Sequence, residues 1–259
     1  ISADTIKNDF FPVVTQDFVR NNSVFALPLY MDSIVIVANT KLMATLSAAD
    51  SSGPVNNWFD FLNQAKRVSK KTGNNFDVYG FAAGAENVQF LPEVLSTIFL
   101  QQKISMSTVD NVSGFSNKAV FNDNPESQNL LNFYKKFTTT DQTWSPGTNN
   151  EIALFLEGKL SMVALPLWRI NDIEQIKAQY NLDISYDVFP LPQINSTDPA
   201  QYVYPATYWG QAVTADSQRR GQSSVAWDFL NFVTQETQLK LFYDQAIKLP
   251  NRSRGMVFP

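Results

Sequence analysis

Histidine and cysteine are both absent from this sequence. Thiolate nucleophiles, Ser-His-Asp triads, disulfides and His-built metal sites are therefore excluded. Carboxylate chemistry stays open, as an acid pair or as an oxygen-ligand cation site. The other resource is aromatic. Phe, Tyr and Trp make up 13% of the chain, as 20, 9 and 5 copies. Most of the Phe is expected in the core, which leaves Trp and Tyr as candidates for binding. Four spots carry such residues, or acids and amides, next to predicted strands. Trp168 is followed by Arg169, whose guanidinium donates a fork of hydrogen bonds. Trp209 follows Tyr208. Asp32 lies between two β-rich runs, where a charge is costly if buried without a partner. Glu86 and Asn87 follow another such run. Each has a plainer reading: a core Trp closing a strand, a solvated turn carboxylate, ordinary loop residues. Trp58 and Trp227 fit helical apolar stripes and read as core. Trp144 falls in a loop, with both readings open.

Hydrophobic periodicity marks the elements that must position these residues. Residues 24–30 and 34–38 read as strands joined by Met31, Asp32 and Ser33, with Asn39 capping a short turn that ends near Met43. A helix is predicted from Asn57 to about Lys71, with Trp58, Phe61, Leu62, Ala65 and Val68 on one face and Gly73 as its stop signal. Residues 77–83 read as a strand, so Glu86 and Asn87 fall just past its end. Pro92 suits the first turn of a helix reaching Gln101. Asn124-Pro125 and Asn149-Asn150 are further helix starts, and 160–165 is a buried strand that delivers Trp168 at its end. Helix 171–179, strand 183–189, strand 207–214 and a long helix over 223–246 complete the order. That last helix has Ala226, Phe229, Leu230, Val233, Leu239 and Phe242 as its buried stripe. Alternating strands and helices predict an α/β chain with mainly parallel sheet and helices on both faces. In open sheets of this kind the strand ends face the ligand crevice.

The 259 residues suit one large domain or two small ones, and 44% hydrophobic with 17% charged residues is globular composition. A net charge of −4 with no basic block argues against a nucleic-acid groove. The apolar runs are too short to span a bilayer. The opening ISADTIKNDFF lacks the basic and apolar regions of a signal peptide, and KLPNRSRGMVFP stops without a closing element, so a fragment or processed form is expected. Four N-x-S/T triplets begin at Asn21, Asn111, Asn195 and Asn251. They read as glycan acceptors in a eukaryotic secretory protein, or as chance in an Asn-rich chain.

Four stretches carry a family resemblance, and they fall in family order. They are LPLYMDSIVIVANTKLM (27–43), NPESQNLLNFYKKF (124–137), FLEGKLSMVALPLW (155–168), and YWGQAVTADS (208–217) followed by AWDFLNFV (226–233). On these the chain resembles extracellular solute-binding proteins of ABC importers, in the sugar-binding branch typified by maltodextrin-binding proteins. The resemblance implies an α/β, two-lobed periplasmic-binding-protein-like fold with a cleft between lobes. It places 34–188 in a C-terminal lobe and 1–33 with 189–246 as hinge strands and part of an N-terminal lobe. It makes 247–259 the start of a return segment, with the first part of the N-terminal lobe upstream. It also implies capture of a sugar or oligosaccharide, delivery to a membrane permease, and a monomer outside the cell or in the periplasm, tethered by an N-terminal lipid anchor. No catalysis, cofactor, metal or nucleic acid is implied.

A sugar needs flat aromatic faces against its C–H faces and paired polar groups for its hydroxyls. The resemblance assigns Trp168, Tyr208 and Trp209 to the first task and Asp32 to the second; Glu86 and Asn87 join the second from their place on the crevice-facing edge after strand 77–83. Arg169 departs from the commoner small or aromatic residue at its position and puts a plain neutral sugar in question. Two rivals stand beside this reading: a carboxylate-pair glycan-active enzyme, and a surface protein that keeps the fold without transport.

Overall fold

The computed structural model describes residues 1–48, 51–109, 117–148, 150–195 and 197–246. Outside the described residues lie Asn149 of the expected helix start, Asn111 and Asn251 of the triplets, Ser196 of the Asn195 triplet, and 247–259. The chain divides into two compact units. One holds Ile1–Ser33, Leu167–Asp172 and the residues from Ala206 onward; the other holds Ile34–Pro166 and Ile173–Pro205.

The second unit is built on a five-stranded sheet in the order Tyr186–Pro190, Ile34–Asn39, Leu160–Pro166, Asn75–Phe81, Lys70–Thr72. Leu160–Pro166 is an interior strand and all seven of its residues are buried, as a strand covered on both faces must be. Its partners explain a departure from the expected parallel sheet. Only Asn75–Phe81 pairs with it in parallel; the other three pairings are antiparallel. Crossover helices do bring Asn75–Phe81, Leu160–Pro166 and Tyr186–Pro190 back in one direction. Ile34–Asn39 arrives straight from the preceding strand Leu27–Asp32 and not over a helix. It runs the other way and inserts between two of the three. Gly73 likewise serves a different purpose from a helix stop. The helix Trp58–Val68 already ends at Ser69, and Gly73 (φ 63°) turns the hairpin between Lys70–Thr72 and Asn75–Phe81.

Trp58, Phe61, Leu62, Ala65 and Val68 are buried, as their spacing predicts, and join Phe81, Ile98, Phe133, Phe137 and Met162 in one core. The Asn57 carboxamide caps that helix, accepting from the amides of Phe59 and Asp60. Asn150 does the same for Glu151–Leu156 through the amides of Ile152 and Ala153.

The boundary expected at 189 falls instead at 205/206. Phe189 and Pro190 pair with Ile36 and Val35, and Leu191 and Ile194 enter the same core. Gln101 Nε2 holds the carbonyls of Pro192 and Val203 at 2.9 and 3.1 Å. These bonds keep 189–205 in the second unit. The detour of Leu167–Asp172 into the first unit has no counterpart in the expected boundaries.

In the first unit, Ile6, Val14, Leu27 and Leu230 form the core, with Phe18, Met31, Tyr208 and Trp227 packed against it. The long helix expected over 223–246 is two helices, Ser223–Val233 and Glu236–Ala246. The break is at Thr234, the C-cap of the first helix, whose Oγ1 donates back to the Leu230 carbonyl at 2.8 Å. The expected stripe is buried only at Leu230 and Leu239; Phe229 and Phe242 are exposed.

Gly80, in the strand Asn75–Phe81, sits against the helix Trp58–Val68. A Cβ there would lie 2.0 Å from the Ala65 carbonyl oxygen and 2.6 Å from Ser69 Oγ. Gly80→Ala is expected to cost about 1–3 kcal/mol through overpacking. Urea unfolding checks this, and an unchanged midpoint would contradict the packing described.

Candidate ligand-binding site

Five of the seven candidate residues belong to the first unit. They come from three chain segments: the strand Leu27–Asp32, the segment Leu167–Asp172, and the strand Thr207–Gln211. The two strands pair antiparallel, with Asp32 opposite Thr207, Met31 opposite Tyr208 and Trp209 opposite Tyr30. Directly opposed residues of a strand pair share a face and successive residues alternate. Asp32, Tyr30, Thr207 and Trp209 therefore lie on one face, and Met31 and Tyr208 on the other. The second face is the one packed on the core. Beyond Trp209 the register shifts, so that Gly210 faces Pro28. Gly210 has no room for a side chain, since a Cβ there would meet the Phe18 ring at 2.2 Å.

This alternation separates the adjacent aromatics. Trp209 is 62% exposed on the Asp32 face. Tyr208 packs edge-on against Phe18, with ring centres 5.4 Å apart, and its hydroxyl donates to the Asp17 carboxylate. Burial and that carboxylate push the phenol pKa up. The structure thus gives Tyr208 a role in packing, on the face away from Asp32.

Asp32 is not a solvated turn residue. It ends its strand and is 5% exposed. Oδ1 accepts from the amides of Ser33 at 2.7 Å and Leu167 at 3.0 Å. Oδ2 is buried and has no hydrogen-bond partner among the described residues. Burial raises the carboxyl pKa, while the amides of Ser33, Leu167 and Trp168 pull it down; burial outweighs them. The result is a desolvated acceptor oxygen next to the backbone that carries Trp168. Tyr30, two residues back on the same face, also has its pKa raised, by burial first and the Asp32 charge second. Sequence reading passed over Tyr30, although a period of two from Asp32 points to it.

Trp168 follows the buried strand Leu160–Pro166 and is 41% exposed, so it is not a core Trp closing that strand. Its carbonyl accepts from Asn171 Nδ2 at 3.0 Å. Arg169 bonds Asp172 through Nη1 at 2.6 Å.

Glu86 and Asn87 belong to the second unit, on the loop after Asn75–Phe81. Glu86 is exposed. Asn87 is committed internally: Nδ2 donates to the carbonyls of Thr148 (3.1 Å) and Ser145 (3.4 Å), and Oδ1 accepts from Trp144 Nε1 at 3.0 Å. Trp144 is fully buried, which answers the question its sequence context left open. Glu151, also buried, accepts from the Gln89 amide at 3.1 Å. Asn87 and Glu151 thereby hold the segment that follows Glu86. Among the described residues, no group of three or more acids is placed to hold a metal ion, and no helix is long and apolar enough to cross a membrane.

Residues 2–240 match the sequence profile of the bacterial extracellular solute-binding proteins. The chain belongs to that family, a family of binding proteins. Its fold is shared by solved structures of low identity. A cyclo/maltodextrin-binding protein complexed with maltotetraose superposes with a TM-score of 0.65 at 19% identity, over 96% of this chain and 58% of that one. The maltose-maltodextrin binding protein of Alicyclobacillus acidocaldarius gives 0.60 at 16%, over 93% and 57%. UgpB from Mycobacterium tuberculosis, complexed with glycerophosphocholine, gives 0.65 at 16%, over 96% and 59%. The chain thus spans less than two thirds of the length of these structures. No curated protein matches it by sequence.

Three substitutions test the geometry. Because the folded protein holds the Asp32 proton more tightly than the unfolded chain does, the ionised carboxylate opposes folding. Stability contributed by this site falls as pH rises through the window between the ordinary carboxylate pKa and the raised one. Asp32→Asn is therefore expected to be more stable than the parent at pH 7, with the difference shrinking as pH falls below that window. Thermal unfolding from pH 3 to pH 7 checks this; lower stability of the variant at neutral pH would mean that the amide contacts outweigh burial. Asn87→Ala would strip the partner from the buried Trp144 N–H, at an expected cost of about 1–3 kcal/mol. Glu86→Ala should leave the unfolding midpoint where it is.

Proposed function

We propose that this chain captures a sugar or oligosaccharide outside the cytoplasmic membrane and hands it to an ABC permease, acting as a monomer and without turning the ligand over. A lipid tether of the protein in its cell belongs to the same proposal, testable by labelling with a radioactive fatty acid. Family membership supports solute capture. The observation that carries the carbohydrate reading is the pair of exposed indoles, Trp168 and Trp209, close to the Asp32 carboxylate. Trp209 shares the strand face of Asp32, and Trp168 follows the Leu167 amide that Asp32 holds. A pyranose presents hydroxyls that hydrogen-bond a carboxylate next to an apolar face suited to an indole. An ionised acceptor strengthens such a bond. Glu86, on its braced loop in the second unit, is a further hydroxyl acceptor under the same proposal.

Thermal shift and calorimetric titration with maltose and maltotetraose test the reading directly. A ligand that binds only the native state raises its stability by mass action. Trp168→Ala should weaken maltotetraose binding by about tenfold to a hundredfold, since a large apolar side chain contributes about 1–3 kcal/mol when covered. Its urea midpoint should stay near the parent's. Trp58→Ala, in the core, should do the reverse and lose about 3–5 kcal/mol of stability. No shift with any neutral sugar would sink the carbohydrate reading. Shortening of maltotetraose on incubation would favour a glycan-active enzyme instead.

A further inference from the structure

Arg169 bears on the charge of the ligand. Its guanidinium carbon lies 5.1 Å from the centre of the Trp168 ring, within the range of cation–π attraction. Nη1 is bound to Asp172 Oδ2 at 2.6 Å, and the two side chains are 23% and 36% exposed. Asp172 stands in the first turn of the helix Ile170–Tyr180, three residues on from Arg169. Asn171 Nδ2 holds the Trp168 carbonyl from the same turn. The fork is thus drawn across the indole from a fixed point on the helix. Its positive charge is matched by Asp172, and Asp32 adds a negative charge at the Leu167 amide. Among these three side chains the single positive charge is already paired with Asp172.

Resting on the solute-capture reading above, we propose that Arg169 is a positioning residue. Held by Asp172, it orients Trp168 for stacking of an uncharged polyhydroxylated ring, and it is not the anchor of an acidic or phosphorylated sugar. Arg169 then departs from a small or aromatic neighbour without changing the class of ligand. A lysine in its place keeps the charge but loses the planar fork that bridges ring and carboxylate.

The test pairs the indole N–H resonance of Trp168, assigned by its loss in Trp168→Phe, with titrations of two probes, neutral maltotetraose and anionic tetragalacturonate. In the unliganded protein, Asp172→Asn and Arg169→Lys should each move the Trp168 resonance and leave that of Trp209 in place, with unfolding midpoints unchanged. Asp172→Glu, which keeps the carboxylate, should restore it. Maltotetraose affinity should fall about two- to fivefold in the first two variants, the size of one exposed cation–π contact, and recover in the third. Tetragalacturonate should bind more weakly than maltotetraose throughout. A Trp168 resonance unmoved in both Asp172→Asn and Arg169→Lys overturns the positioning role. Tetragalacturonate binding that is tighter than maltotetraose and lost in Arg169→Gln assigns Arg169 to the ligand instead. If neither probe binds the parent protein, the ligand class falls with the capture reading, and the resonance alone decides the positioning.

Discussion

The first unit depends on one buried carboxylate. Asp32 draws the amides of Ser33 and Leu167 to a single oxygen, and Leu167 also donates to the Ser33 carbonyl at 3.2 Å. Two passages of the chain, far apart in sequence, are pinned at one point by these bonds. Such an arrangement costs free energy, because the ionised group is taken out of water with one oxygen left unpaired. Groups kept in a costly state concentrate where a protein meets its ligand. The same bonds that compensate Asp32 fix the backbone leading into Trp168, so the acceptor and the aromatic surface are set by one constraint.

The second unit depends on a strand and not on a charge. Leu160–Pro166 is buried along its whole length and pairs on both edges, antiparallel to Ile34–Asn39 and parallel to Asn75–Phe81. Loops at the margin of this sheet are braced by side chains whose polar atoms would otherwise be buried without partners. Asn87 ties together Trp144, Ser145 and Thr148, and Glu151 takes the Gln89 amide. In such networks the loss of a member leaves a buried polar atom unpaired, and Glu151 Oε2 is already one with no partner among the described residues. The segment after Glu86 is held in this way.

The family accounts for the two kinds of support. A solute-binding protein has no bond to make or break, so its side chains need only hold acceptors and flat surfaces ready for a ligand. The absence of His and Cys costs such a protein nothing.

Much of the element order was legible in the sequence because local patterns determine it. The spacing of Trp58, Phe61, Leu62, Ala65 and Val68, the capping asparagines 57 and 150, and the apolar run 160–165 each specify their element within a few residues of chain. The place of Trp168 after that run and the charge of Asp32 between two strands mark them as candidates only together with the family resemblance. Where residues far apart in sequence decide the outcome, pattern is silent. Whether Asp32 is solvated or buried depends on Leu167, 135 residues away. The direction of Ile34–Asn39 depends on its arrival from a strand of the other unit. The adjacent pair Tyr208 and Trp209 shows the division most plainly. Their composition marks both for binding, and strand alternation requires that they face opposite ways. Only the pairing with Leu27–Asp32 decides that Trp209 shares a face with Asp32 while Tyr208 turns to Phe18 and the core.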